Sequence, residues 1–318
     1  MQQTRNRAAI REPQPAPVRP TLPPLLHRMK LAKHSYILMG PYMILFFLFT
    51  VLPVALSMLV SFTYFNLLEF PQWVGWRNYT RLLLEDDVFL IAIKNTFLFA
   101  FVTGPVSYLA CFLFAWLINE LSPKIRAFMT LVFYAPSISG NIFFIWLIMF
   151  SGDSYGYVNG FLMRTGFILE PIQWLQNEQY VLWIVMLVQL WLSLGVSFLA
   201  FIAGLQSIDR TLFEAGAVDG VRNRWQELWY ITLPAMRPQL LFGAVIQITS
   251  SFAIAEVSIA LAGFPSVNYA AHTVVTHLMD YGSIRFDMGY ASAIATVLFG
   301  IMVGSNMLVQ KLLRKVGE

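Results

Sequence analysis

The chain has 318 residues, of which 58% are hydrophobic and 12% are charged, and its formal net charge is +4. Soluble domains carry charge on about a quarter of their residues, so this composition argues against a soluble globular protein and favours one embedded in a membrane. The single cysteine excludes an intrachain disulfide and a metal cluster built on thiolates, and the small positive charge gives no support for nucleic-acid binding.

Residues 1–34 are rich in basic residues and proline, with six prolines between positions 13 and 24. A segment that cannot bury enough apolar surface stays disordered, so we predict a disordered cytoplasmic N-terminal segment here. Its basic residues are expected to contact anionic lipid headgroups. The apolar run that follows is long and begins late, so we expect no cleavable signal peptide.

Six apolar runs follow, each long enough for a helix to cross the hydrocarbon core, which takes roughly 20 residues. The runs are continuous and do not alternate, which favours helices over a β-barrel. The predicted spans are residues 36–62, 89–118, 128–150, 181–205, 240–262 and 288–312. The predicted fold class is therefore an all-α polytopic membrane protein with six transmembrane helices, formed by residues 35–318 as one domain.

The basic residues of the connecting segments predict the orientation of the chain. Sixteen Lys and Arg residues lie in the N-terminal segment, the second-to-third and fourth-to-fifth connections and the C-terminal tail, whereas four lie in the other connections. Basic loops remain cytoplasmic. We therefore expect a multi-pass protein of the cytoplasmic membrane with both termini inside, and with residues 205–238 on the cytoplasmic side.

The connection of residues 205–238 is predicted to form a helix–turn–helix. The small residues Ala215, Gly216 and Ala217 leave a surface that another protein can approach closely, and Gly220 permits a backbone turn that most residues resist. An amphipathic piece with an apolar stripe follows, and prolines precede the fifth span. Docking into the groove of a partner suits such a unit; the alternative is a plain loop whose helices lie on the lipid.

Nucleotide-binding motifs and the metalloprotease motif are absent from the sequence. There is no G-x-x-x-x-G-K-[ST], H-E-x-x-H or G-x-G-x-x-G. His272 and His277 are five residues apart, which is poor spacing for two ligands on one helix face, so we interpret them as an ordinary polar pair in an outer loop. The chain is not expected to be an enzyme, and no catalytic residue, metal ligand or bound cofactor is predicted.

The connection resembles the cytoplasmic loop of the permease subunits of bacterial ATP-binding-cassette importers. That loop has the form E-A-A, then D-G, then I-x-L-P, and this chain has E-A-G at 214–216, D-G at 219–220 and I-T-L-P at 231–234. The resemblance implies that the loop forms the coupling helices that sit in a cleft of the ATPase subunit. The ATPase-coupling residues that it implies are Glu214, Ala215, Gly216, Asp219, Gly220, Ile231, Leu233 and Pro234.

Further stretches of the sequence resemble the carbohydrate-uptake branch of that family, that of the maltose and glycerol-phosphate importer permeases. V-G-W-R-N-Y at 74–79, N-T at 95–96 and F-D-M-G-Y-A-S-A at 286–293 match elements of the branch. A-G-F-P at 262–265 differs from the T-G-G-G-P that is frequent in the branch. The resemblance implies a type I importer bundle.

The resemblance implies that the chain forms one half of a translocation pore for a sugar or oligosaccharide. The implied partners are a second six-helix permease subunit, two ATP-binding-cassette ATPase subunits that bind ATP and Mg, and an extracytoplasmic sugar-binding protein. Membrane lipid surrounds the bundle, and no nucleic acid is implied. Catalytic activity is expected only in the ATPase subunits.

Polar and aromatic residues inside the spans are the candidates for substrate contact, because sugars are held by stacking on rings and by hydrogen bonds to hydroxyls. A charge at the centre of a span costs roughly 2.5–3.5 kcal/mol on insertion scales. Glu256 is therefore expected to face a wet cavity, a partner or the membrane interface, and a structural role is an equal alternative. The candidates are Asn141, Trp146, Gln189, Trp191, Gln247, Ser250, Ser251 and Glu256.

Two other classes of function remain open. An importer for a polyol or a solute of the glycerol-phosphate type would have the same fold. A secondary transporter driven by an ion gradient would show inverted repeats and several midplane charges, whereas the predicted spans contain one acidic residue and no obvious repeat, so this reading is less favoured.

Overall fold

The computed structural model describes residues 32–140 and 142–315. The segment predicted to be disordered, residues 1–34, therefore lies almost entirely outside the described residues, and so does the candidate residue Asn141. The chain divides into two compact units, residues 1–55 and 56–318. The predicted coupling and substrate-binding residues all belong to the second unit.

The described part of the first unit is helical. Helix α1 (Lys33–Phe46) continues through a π turn (Phe47–Val51) into α2 (Leu52–Val60), which runs past the boundary of the unit. Proline lacks the N–H that would donate to the carbonyl four residues earlier, and its ring clashes with that carbonyl. Pro53 therefore accounts for the wider π turn immediately before it.

The second unit begins with a short antiparallel hairpin. Strand β1 (Thr63–Tyr64) pairs with β2 (Gln72–Trp73), with Thr63 opposite Trp73. The hairpin packs against the start of the last helix, where the N–H of Gly289 donates to the carbonyl of Phe65 at 3.2 Å. A Cβ on Gly289 would overlap the carbonyl of Thr63, so this close approach requires glycine.

Helices make up most of the remainder of the second unit. In chain order they are α3 (Arg77–Leu84), α4 (Asp87–Asn119), α5 (Pro123–Ile138), α6 (Phe143–Met149), α7 (Tyr157–Arg164), α8 (Glu178–Leu192), α9 (Val196–Gln206), α10 (Arg210–Val218), α11 (Arg224–Glu227), α12 (Leu233–Ala235), α13 (Arg237–Phe252), α14 (Glu256–Ala262), α15 (Val274–Met279) and α16 (Met288–Lys315). Single π turns follow α11 (Leu228–Thr232) and α15 (Asp280–Ile284), and a 3₁₀ turn (Val267–Tyr269) precedes α15.

Polar caps fix where the long helices begin. The side chain of Asp86 accepts from the N–H of Phe89 at 2.9 Å at the start of α4, and Asn177 accepts from the N–H of Gln179 at 2.9 Å at the start of α8. Such caps satisfy N–H groups that have no partner within the helix. Pro123 occupies the first turn of α5, where a missing N–H costs nothing.

The predicted six spans agree with the helices of the described residues. Four helical spans, Lys33–Val60, Asp87–Asn119, Glu178–Gln206 and Met288–Leu312, are long and apolar enough to cross a membrane, and the third of them consists of α8 and α9. Two bent pairs complete the set when each counts as one span, namely Pro123–Ile138 with Phe143–Met149, and Arg224–Ala235 with Arg237–Phe252. The architecture is an all-α polytopic bundle.

The structure interrupts the fifth predicted span, residues 240–262. Helix α13 ends at Phe252 and α14 begins at Glu256, so the chain is interrupted at residues 253–255. The carbonyl of Ile254, freed by the break, accepts from the hydroxyl of Thr273 at 2.6 Å. A hydrogen bond from a distant segment thus supports non-helical backbone inside the bundle, where it would otherwise be left unsatisfied.

The core of the second unit is arranged along α4. Its first half packs with α15 and α16 around Phe89, its middle packs with α8 and α14 around Phe99, and its last third packs with α9 and α13 around Cys111. Small residues bring the helices close, since a Cβ on Gly243 would overlap the ring of Phe201. Interfaces of small residues are typical of membrane helices, which lack a hydrophobic driving force for association.

Candidate coupling loop and transport cavity

The turn predicted at Gly220 is confirmed. Helix α10 starts with Asp209, whose side chain accepts from the N–H of Thr211 at 3.0 Å, and it ends at a Gly220 with φ +95°. The N–H of Val221 donates to the carbonyl of Gly216 at 2.9 Å, and that of Gly220 donates to Ala217 at 3.3 Å. This pair of bonds is a Schellman motif, which closes a helix in a fixed geometry and needs the left-handed residue.

The first and last parts of the sequence motif contact each other across this turn. Gly216 is buried on the face of α10 that meets the π turn Leu228–Thr232. A Cβ added to Gly216 would lie 2.6 Å from Cδ1 of Ile231 and 3.6 Å from Cγ2 of Val221. A small residue at position 216 is therefore what allows Ile231 to pack directly on α10.

The second half of the loop is attached to the end of α4. Asn223 caps α11 by accepting from the N–H of Gln226 at 2.9 Å. The guanidinium of Arg224 contacts Glu120 at 2.9 Å and Glu227 at 2.7 Å, and the rings of Trp225 and Trp116 lie 5.4 Å apart. Exposed ion pairs contribute about 0–1 kcal/mol each, so the arrangement depends on the aromatic contact and the caps as much as on charge.

The outward face of the loop consists of small, mostly apolar side chains. Ala215, Ala217 and Asp219 are exposed, and Val218 at the end of α10 is 87% exposed. Glu214 is exposed and lines a groove of about 670 Å³ between α10 and the end of α4, together with Arg210, Glu120 and Arg224 among others. We name residues 205–238 the coupling loop, and this face of α10 its docking face.

Leu233 and Pro234 lie where the coupling loop turns into the fifth span. They form the short helix α12, with Pro234 in its first turn, and the axis bends by 79° before α13. Met236, at this bend, is fully buried against the core around Cys111. The end of the coupling loop therefore packs against the same core as the start of α13.

Three of the predicted substrate-contact residues converge at the helix breaks. Gln189 of α8, Ser250 of α13 and Glu256 of α14 line a cavity of about 430 Å³ between the end of α5, the end of α13 and the start of α14. Ser137 and Ser139 line it from α5. The cavity, which we name the helix-break cavity, combines hydroxyl, amide and carboxylate groups with apolar walls, as binding sites for small polar molecules do.

Gln247 and Ser251 lie nearby but are engaged inside the bundle. The amide of Gln247 donates to the carbonyl of Ser193 and to Sγ of Cys111, both at 3.2 Å. The hydroxyl of Ser251 donates to the carbonyl of Gln247 at 2.7 Å and packs on Gly104. Both side chains are buried, so they connect α13 to its neighbours and do not line the helix-break cavity.

Trp146 and Trp191 form an aromatic pair beside the cavity. Their rings are 5.4 Å apart at an angle of 71°, and Trp146 also stacks on Phe150 at 6.0 Å. Trp146 packs against the core around Phe99, and neither ring is among the residues that line the helix-break cavity. The indole N–H of Trp146 is buried without a hydrogen-bond partner in the described part of the chain.

A buried polar network at the start of α4 was missed by the sequence analysis. His272 and His277 are 3% and 2% exposed, and Nε2 of His272 lies 3.2 Å from Nδ1 of His277. Nε2 of His277 is 3.0 Å from Asp86, which also accepts from the hydroxyl of Tyr290 at 2.7 Å. The network joins α4, α15 and α16.

The charges of this network follow from burial and hydrogen bonding. Burial opposes ionisation of Asp86, but hydrogen bonds from His277, Tyr290 and the N–H of Phe89 outweigh it and hold the pKa of Asp86 well below its ordinary value. Burial, with a smaller contribution from His277, lowers the pKa of His272 to about 4. Spacing along the chain gave no signal for this, because His272 precedes the helix that carries His277.

The sequence is similar to those of known transport proteins. It is 32% identical over 281 residues to the probable ABC transporter permease protein YesP of Bacillus subtilis, covering 86% of this chain and 88% of that protein. It is 28% identical over 269 residues to the arabinooligosaccharides transport system permease protein AraP of Halalkalibacterium halodurans, covering 84% of this chain and 83% of that protein.

The fold is shared with a solved transporter. A chain from the crystal structure of a bacterial alginate ABC transporter, in complex with an alginate pentasaccharide-bound periplasmic protein, superposes with a TM-score of 0.74 at 24% identity, covering 92% of this chain and 98% of that one. The sequence profile of one family matches residues 119–317, which include the whole coupling loop. The chain therefore belongs to the family of binding-protein-dependent transport system inner membrane components.

Proposed function

We propose that this permease carries a sugar or oligosaccharide into the cell and is driven by ATP hydrolysis on separate subunits. The observation that carries the proposal is the coupling loop, in which Gly216 packs on Ile231 and Gly220 closes α10. The name of the AraP relative specifies arabinooligosaccharides. A lactose transport permease, LacF of Rhizobium radiobacter, is 30% identical over 217 residues and covers 67% of this chain and 70% of that protein.

The docking face of α10 is the part of the chain that we assign to the ATPase. Val218 and the alanines before it present little side-chain volume, so a groove on a partner can close around the helix backbone, which is the helix-in-groove mode of recognition. Glu214 adds a carboxylate beside this face for a basic or N–H donor group of the partner. Two copies of the ATPase, or two related ones, complete the nucleotide sites with ATP and Mg.

The coupling loop transmits movement because its parts are joined to different spans. Arg224 and Trp225 hold it to the end of α4, and Met236 joins it to α13. Closure of an ATPase pair around ATP would shift α10 as a rigid body, and α4 and α13 would follow. Two packings of the bundle that differ by a few kcal/mol suffice for such switching.

The helix-break cavity is the part of the chain that we assign to the cargo. The last carbonyls of a helix have no partner within the helix, and the ends of α5 and α13 both line the cavity. Gln189, Ser250 and Glu256 add side-chain groups. Discontinuous helices that surround a substrate are a recurring feature of transport proteins. Gln247 and Ser251 hold α13 in place behind this wall.

The remaining subunits follow from the same proposal. A second six-helix permease completes the pore, and an extracytoplasmic binding protein delivers the sugar to the outer face. Both termini of this chain lie in the cytoplasm, as the distribution of its basic residues predicts. Catalysis of ATP hydrolysis takes place on the ATPase subunits only.

A second candidate cargo is a polyol or glycerol phosphate. The permease protein UgpA of Rhizobium meliloti, whose name specifies sn-glycerol-3-phosphate, is 26% identical over 238 residues and covers 73% of this chain. An anionic phosphate calls for basic side chains, and the described lining of the helix-break cavity contains none. The sugar is therefore the better-supported cargo.

The test is reconstitution of the complete importer in proteoliposomes. The chain would be co-expressed with its second permease and ATPase, supplied with the binding protein, and assayed for uptake of a panel of labelled oligosaccharides, polyols and glycerol phosphate. We expect uptake of a saccharide that requires both the binding protein and ATP. Uptake that needs neither but follows an imposed proton or sodium gradient would contradict the proposal.

A further inference from the structure

The helix-break cavity has an unusual balance of charge. Its described lining contains hydroxyl groups of three serines, the amide of Gln189, backbone and apolar groups, and one charged side chain, that of Glu256. Glu256 is exposed, and none of the ion pairs in the described part of the chain includes it. The wall that this chain contributes therefore presents an unneutralised carboxylate.

The local structure explains how the carboxylate is kept there. Glu256 is the first residue of α14, directly after the break at residues 253–255. The N-terminus of a helix carries partial positive charge and unpaired N–H groups, which favour a negative side chain in the first turn. The N-terminus of α14 thus stabilises the negative charge of Glu256, while the carboxylate oxygens remain free to face the cavity.

A carboxylate in this position discriminates between classes of saccharide. It accepts two hydrogen bonds from neighbouring hydroxyls of a neutral sugar, and Gln189 and Ser250 offer both donors and acceptors beside it. It repels a uronate, sulfonate or phosphate in the same place, and low dielectric strengthens the repulsion. No basic side chain of the described lining offsets that repulsion.

We propose that the helix-break cavity selects uncharged saccharides and that Glu256 is the residue that sets this preference. The inference rests on the proposed function, since it assumes that the cavity receives the cargo. A preference for uncharged saccharides would distinguish this chain from the transporter of the same fold that imports the acidic polysaccharide alginate.

The test compares a neutral saccharide with its uronate counterpart, in which each C6 hydroxymethyl group is replaced by a carboxylate. Galactotriose and trigalacturonate would be added to the complete permease–ATPase complex in nanodiscs, without the binding protein, and their dissociation constants measured by ligand-observed NMR at low ionic strength. For the unchanged chain we expect galactotriose to bind at least about tenfold more tightly than trigalacturonate. Glu256→Gln should reduce that ratio to less than about threefold, and Glu256→Lys should reverse it.

A matched control separates selectivity from helix capping. Glu178 is also an exposed acidic residue in the first turn of a helix, α8, and it does not line the helix-break cavity. Glu178→Gln should leave the ratio of dissociation constants unchanged. Equal melting temperatures of the Glu256→Gln and Glu178→Gln complexes would confirm that both variants fold.

The outcomes distinguish this inference from the function on which it rests. A ratio that Glu256→Gln leaves unchanged, or tighter binding of trigalacturonate to the unchanged chain, overturns the charge preference while the importer assignment stands. If no saccharide of either charge binds or is taken up, with arabinotriose and maltotriose included as further neutral probes, the proposed function itself fails.

Discussion

Acidification should destabilise this protein through His272. The side chain is 3% exposed, packs against the ring of Tyr269 at 5.3 Å and can donate from Nε2 to His277. Burial and the neighbouring His277 lower the pKa of His272 from its ordinary 6.5 to about 4. The other charged groups that act on it are Asp86, Asp280 and Arg285.

The sign of the effect follows from proton linkage. Between pH 6.5 and 4 the unfolded chain binds a proton at His272 and the folded chain does not, so stability is complete above this window and is lost as the pH falls through it. From pH 7.5 to 5.5 this amounts to about 1 kcal/mol, which corresponds to roughly 2 °C in melting temperature for a chain of this size. The low pKa of Asp86 adds a loss in the same direction, but only below its ordinary value of 3.8.

The assay is thermal unfolding of the purified complex, followed by tryptophan fluorescence at pH 7.5 and 5.5. His272→Gln keeps a donor for His277 but cannot be protonated, so its melting temperature should fall by roughly 2 °C less than that of the unchanged chain. His34→Gln, at an exposed histidine of α1, is the control and should behave like the unchanged chain. Equal losses for the unchanged chain and His272→Gln would refute the reasoning.

Four further substitutions, at three positions, test the coupling loop and the helix α13 that follows it. Gly220→Val places a β-branched residue at φ +95° and should cost about 1–2 kcal/mol or more; we expect loss of uptake at a normal membrane level, and normal uptake would contradict the coupling role. Gly216→Ala should be tolerated, because only the mobile Cδ1 of Ile231 must shift and helix propensity improves by up to about 1 kcal/mol. Gly216→Leu should push Ile231 away from α10 and abolish uptake-coupled ATPase activity. Gln247→Leu removes the amide that donates to the carbonyl of Ser193 and should lower the free energy of unfolding by about 1–3 kcal/mol, as thermal unfolding would show. The dissociation constant for saccharide should be unchanged in a binding assay.

Much of the fold could be predicted from local sequence. Continuous apolar runs are a strong signal for spanning helices, and Gly220 at the end of a helix-compatible run identified the turn that closes α10. The interruption at residues 253–255 could not be predicted, because the stretch Ala253-Ile254-Ala255 contains neither proline nor glycine. What supports the break is the hydroxyl of Thr273, from a segment that only the folded bundle brings near.

The candidate sites could also be predicted only where the signal was local in sequence. Chemistry alone identified Gln189, Ser250 and Glu256, which share one cavity, but it could not separate them from Gln247, whose amide is used inside the bundle. The burial of His277 was missed for a related reason. Its partner Asp86 is 191 residues away in sequence, so no spacing rule could connect them.

The central claim is that the docking face of α10 contacts an ATPase subunit, and a cysteine at its end tests this most directly. Cys111 is the sole cysteine of the chain and is buried, so Val218→Cys would supply one accessible thiol at an 87% exposed position. We expect a short thiol-to-amine cross-linker to join Val218→Cys to the ATPase in the assembled complex. Free labelling of that thiol by a maleimide, with no cross-link to another subunit in any nucleotide state, would contradict the account.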